Sequence, residues 1–75
     1  MRTKEVELNK KINNAVLGDV TLVKEVWMDT TDNDAAMTYA EEYAEANNLK
    51  LFSVYIGLHN WYTKKTGRYA VFYKA

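Results

Sequence analysis

The stretch from Leu49 to Lys74, LKLFSVYIGLHNWYTKKTGRYAVFYK, constrains the fold more than any other part of the chain. It reads as two β-strands joined by a tight turn. Phe52, Val54, Ile56 and Leu58 alternate with Ser53, Tyr55, Gly57 and His59. Alternation of period two marks a strand with one buried face, and the apolar set is the expected core side. Continued alternation puts Trp61 with Tyr55 and His59 on the opposite side.

The turn is expected at Lys64-Lys65-Thr66-Gly67-Arg68. Its late glycine suits a type I turn closed by a G1 bulge, because glycine accepts the left-handed conformation cheaply. The return strand is Arg68 to Lys74. A three-residue loop sets Tyr69, Val71 and Tyr73 beside Trp61 and His59. A four-residue loop sends them to the core, since a one-residue slip inverts a strand. The apolar character of Tyr-Val-Tyr argues for the core and the glycine for the outer side. Both registers stay open, and the glycine tips the reading outward.

At 75 residues the chain is expected to form a single domain spanning 1–75. With no cysteine it has neither disulfides nor thiolate chemistry. No apolar run follows Met1 to Lys4, so no signal peptide is visible, and no stretch reaches the ~20 apolar residues of a membrane helix. The expected setting is soluble and cytoplasmic, with no membrane contact. Formal charge is zero but divided. Residues 1–48 hold five basic and ten acidic residues, whereas residues 49–75 hold five basic and no acidic ones. Such a field can orient a partner, although mutual neutralisation within one fold is the plainer reading.

Leu8, Ile12, Ala15 and Val16 fall near one helical face, Thr3 is a candidate N-cap and Gly18 a candidate C-terminal stop. A helix over 5–17 is therefore expected, with a short strand through Lys4, Val6 and Leu8 as the competing reading. Val20 to Met28 reads as a strand. Leu22, Lys24, Val26 and Met28 lie on one side and Thr21, Val23, Glu25 and Trp27 on the other. Neither side is cleanly polar, which suits a sheet covered on both faces or one that meets a partner. Asp29 to Asp34 fails the spacing of a calcium loop in either register, because glycine and glutamate are missing where the ion needs them. Thr31 and Asp34 instead approximate a capping box. The helix expected from about Asn33 to Asn47 has Ala36, Ala40, Tyr43 and Ala44 on its dry side and Thr38, Glu41 and Glu45 on its wet side.

The expected fold is therefore α+β, in the order α-β-α-β-β. A three-stranded, mostly antiparallel sheet carries a helix on one face, with the last strand preferred at the centre.

Catalysis finds little support. His59 is the lone histidine, and Ser53 lies roughly 20 Å from it along a strand, too far for a nucleophile–base pair. Scattered glycines form no phosphate loop, and no metal or cofactor is implied. The expectation is a non-enzymatic interaction module. Its surface comprises Tyr55, His59, Trp61, Tyr69 and Tyr73, rimmed by Lys64, Lys65 and Arg68. The first candidate partner is another protein or a second copy, since tyrosine, tryptophan and arginine are enriched at interface hot spots. The alternative is single-stranded DNA or RNA stacking on the same rings. A weaker alternative has the acidic stretch of Asp29, Asp32, Asp34, Glu41, Glu42 and Glu45 imitating phosphates to occupy a basic groove. The plainer reading of those acids is a solvated helix face.

Overall fold

The computed structural model describes the backbone of residues 1–60 and 65–74, and their side chains except at 58–60 and 65. Two hairpins flank one helix. Strands β1 (Thr3–Asn14) and β2 (Gly18–Met28) precede helix α1 (Asn33–Ala46), and β3 (Lys50–Asn60) and β4 (Lys65–Tyr73) follow it. The four strands form one antiparallel sheet in the order β1-β2-β4-β3. The α+β class holds. The order α-β-α-β-β and the three-stranded sheet do not. The last strand does lie between two others, hydrogen-bonded to β2 and β3.

The expected helix over 5–17 is replaced by β1 and a turn. Two of its apolar stripe residues, Ala15 and Val16, are turn residues, so the stripe has no face to bury. Asn14 sets the turn: its Oδ1 accepts from the Val16 and Leu17 amides at 2.8 and 3.0 Å. Gly18 pairs with Asn14 and has a φ of 77°, the left-handed conformation that glycine adopts at little cost. A helix stop and a hairpin closure make the same demand on this residue.

The turn expected at 64–68 is also corrected. Asn60 faces Lys65, and Gly67 lies within the ladder opposite Gly57. In β3, Leu51 faces Phe72 and Ser53 faces Val71, which leaves Phe52 as the extra residue of a β-bulge. A bulge breaks strict alternation, so Leu51 and Val54 both pack on the helix side. Phe52 meets Tyr73 edge-on at 6.2 Å instead. Ile56, expected in the core, is 65% exposed at the sheet edge.

The core lies between the sheet and α1. Val26, Met28, Ala70 and Phe72 are fully buried beneath Ala36, Ala40 and Ala44. Alanines let the helix approach closely, and Tyr43 fills the remaining space with its ring 4.9 Å from Phe72. Glu5 of β1 is the acidic group that acts on the Tyr43 hydroxyl. Burial first, and the influence of Glu5 second, push its pKa well above the ordinary tyrosine value. Lys24 pairs with Glu7 between β2 and β1.

The helix cap is Asp32 rather than the expected Thr31–Asp34 box. Its Oδ1 accepts from the Asp34 and Ala35 amides at 2.9 and 3.2 Å. A carboxylate there also favours the positive helix end. Asp32→Ala is expected to lower stability by about 1 kcal/mol, measurable by urea titration. At the other end Asn48 is left-handed (φ 54°). The Leu49 amide donates to the Ala44 carbonyl at 2.9 Å and the Asn48 amide to Glu45 at 3.3 Å, a Schellman closure that turns Leu49 onto the core. No helix among the described residues is long and apolar enough to cross a membrane.

Candidate interaction surface

The side of the sheet away from α1 carries a row of aligned residues across all four strands. Lys4 faces Trp27, Trp27 faces Tyr69, and Tyr69 faces Tyr55. Val6, Glu25, Val71 and Ser53 form the adjacent row. Residues directly opposite in a ladder share a face, so the register alone assembles this surface. Tyr69 and Tyr55 stack at 5.3 Å and 15°.

The glycines explain how the rings lie. A Cβ on Gly57 would come within 2.6 Å of the Tyr69 ring, and one on Gly67 within 2.6 Å of Trp27 Nε1. Each aromatic side chain thus leans over a glycine on the neighbouring strand. Trp27 is buried by this packing even on the helix-free side, whereas Tyr55 is 44% exposed.

Glu25 sets an acidic group into the aromatic surface. The Tyr55 hydroxyl donates to Glu25 Oε2 at 3.2 Å. Burial, then the Glu25 charge, raise the pKa of both Tyr55 and Tyr69 above the ordinary tyrosine value. A raised folded-state pKa means that the native state holds the proton more tightly than the unfolded chain. That stabilisation is fully present below pH ~10 and is lost as pH climbs through the folded values. Unfolding midpoints should therefore fall above pH ~10, and Tyr55→Phe should weaken the dependence. Thermal melts across alkaline pH test this. A shallow hollow beside Glu25 is lined by Lys4, Val6, Trp27 and Tyr69.

Of the residues expected at this surface, Tyr55, Tyr69 and Tyr73 lie on strands that build it, with Tyr73 against Phe52 at one end. Trp61 and Lys64, and the side chains of His59 and Lys65, lie outside the described residues. Arg68 is not a rim residue. It is 8% exposed on the helix side. Its Nε donates to Asn33 Oδ1 at 2.7 Å, and its Nη atoms donate to the Thr31 and Gly67 carbonyls at 3.0 and 3.2 Å. The guanidinium fastens the segment before α1 to β4. Arg68→Met should lower stability by about 1.5–3 kcal/mol, the scale of hydrogen bonds to a charged group, as read by chemical denaturation.

Trp27 and Glu25 join the surface beyond the residues expected from the sequence. Their signal was the alternation of Val23, Glu25 and Trp27 opposite Val26 and Met28, a strand face too apolar to be merely solvated. No family model, no curated protein and no solved structure matches this chain.

Proposed function

We propose that this chain is a non-enzymatic interaction module that binds another protein through the aromatic side of its sheet. The observation that carries this reading is the stacked Tyr55–Tyr69 pair in line with Trp27, on the side that α1 leaves open. Rigid tyrosine rings supply contact area at small entropic cost, and such rings dominate interface energetics. Glu25 and Lys4 add a polar element of each sign, which suits a protein surface.

Nucleic-acid binding is the lesser reading. Stacked rings favour it, but single strands also need cations along the phosphates. Arg68 is committed to the helix side, and Glu25 places negative charge among the rings. The acidic helix face as a phosphate imitator rests on charge alone and is weaker still.

The test is cross-linking in an extract of cells that make the protein. Wild type is compared with Tyr55→Asp and with Val16→Asp, a change in the first turn where the side chain is 91% exposed. Circular dichroism establishes that both variants fold. A partner captured by wild type and Val16→Asp but lost with Tyr55→Asp supports the reading. Equal capture by all three removes it. Salt-sensitive quenching of tryptophan fluorescence by single-stranded oligonucleotides would instead favour the lesser reading.

A further inference from the structure

We infer that the protein held by the aromatic side of the sheet is a second copy of this chain, packed face to face so that Lys4 of each copy pairs with Glu25 of the other. The inference rests on the proposal that this side binds protein, and it names the partner.

Two unused charges point to it. Lys4 and Glu25 line the same hollow, together with Val6, Trp27 and Tyr69. They have opposite signs and lie on neighbouring strands, yet among the described residues neither forms an ion pair. Lys4 is exposed and Glu25 half-buried. The Glu25 carboxylate accepts one bond among the described residues, from the Tyr55 hydroxyl to Oε2, which leaves Oε1 for an outside donor.

The ladder makes this patch self-complementary. Lys4 is opposite Trp27 and Val6 is opposite Glu25, so Lys4 and Glu25 end one diagonal of a four-residue patch and Val6 and Trp27 end the other. Consider a two-fold axis between two such faces, running along the Val6–Trp27 diagonal. It exchanges the ends of the charged diagonal, so each lysine meets the other copy's glutamate. Val6, 47% exposed, packs on its own counterpart at the axis. One patch then serves both copies, as a two-fold interface requires. The strands of the two sheets cross steeply, in the orthogonal class of sheet packing.

Charge favours a copy over an unlike partner. A partner of uniform sign would satisfy one of the two groups and repel the other, whereas a copy satisfies both. The formal net charge of the chain is zero, so no long-range repulsion opposes the approach of like molecules.

The test is sedimentation equilibrium of the purified chain at increasing concentration, up to about 1 mM. Wild type should pass from one chain to two, with a dissociation constant that rises with salt. Lys4→Glu and Glu25→Lys each set like charges together twice and should weaken the dimer at least about tenfold. An equimolar mixture of the two variants restores both opposite-sign contacts and should dimerise like wild type. Circular dichroism checks that the variants fold. If Glu25→Lys does not, Lys4→Glu alone decides, since Lys4 is exposed. A wild type that stays monomeric overturns the inference. So does a dimer indifferent to Lys4→Glu, or a mixture of folded variants that does not recover. None of these results touches the broader proposal, which fails separately if Tyr55→Asp leaves capture of a different protein unchanged. A monomer that still loses such a partner with Tyr55→Asp would assign the surface to an unlike protein and overturn the inference alone.

Discussion

Phe72→Ala is expected to lower stability by about 3–5 kcal/mol, the range for emptying a buried aromatic site. Phe72 is fully buried on the central strand β4, under the alanine side of α1 and against Tyr43. Ala36, Ala40 and Ala44 are already as small as a helix residue can usefully be, so nothing above can expand into the void. Met28 and Val26 are fixed by the β2–β4 ladder. A chain this short has a total stability of only about 5–10 kcal/mol. The variant should therefore lose most of its margin, seen as a large drop in the urea midpoint. Phe72→Leu, which retains most of the volume, should recover more than half of the loss.

Gly67→Val is the second large effect, and it acts by addition rather than removal. A Cβ at position 67 would lie 2.5 Å from the Met28 carbonyl oxygen and 2.6 Å from Trp27 Nε1. The first of these is backbone in the neighbouring strand, which cannot rotate away. Either β2 and β4 part locally or the Trp27 ring leaves its seat. The cost should reach about 3 kcal/mol, the upper part of the overpacking range, with a red-shifted or broadened tryptophan emission as its spectroscopic mark. Gly57→Ala is a graded comparison. Its nearest obstacle, at 2.6 Å, is the side-chain ring of Tyr69, which can swing, so the penalty should be smaller and fall on the Tyr55–Tyr69 stack.

The same two glycines show why the sequence was readable only in part. On sequence grounds Gly67 suits a turn, because glycine is the cheapest left-handed residue. Here its value is the missing Cβ, a property that depends on where Trp27 sits. Position 27 is distant in sequence and becomes a neighbour only through sheet order. Asn14 to Gly18 held the turn signal that was sought at 64–68, yet the helical spacing of Leu8 and Ile12 masked it. Helix α1 was legible because its three buried alanines and its Schellman stop are local features. Phe52 leaves the helix side because one bulge shifts the strand's parity, which period-two alternation does not register, whereas Ile56 keeps the helix side beside Met37 and is exposed because β3 is an edge strand. Arg68 was misplaced as a consequence of the turn. Once Gly67 belongs to the strand, alternation carries Arg68 to the helix side, where carbonyls and Asn33 await it.

Sheet order also has a kinetic side. No strand pairing joins the early hairpin, β1 with β2, to β3 until β4 is inserted between them. Synthesis delivers β4 after every other strand, so the two portions must wait, with β2 and β3 each showing an unzipped margin. Closure then depends on pairings as distant as Trp27 with Tyr69, and contacts so far apart along a chain slow the search. This polypeptide should mature late, in one step, and be most vulnerable to sticking to its neighbours in the interval before the keystone arrives.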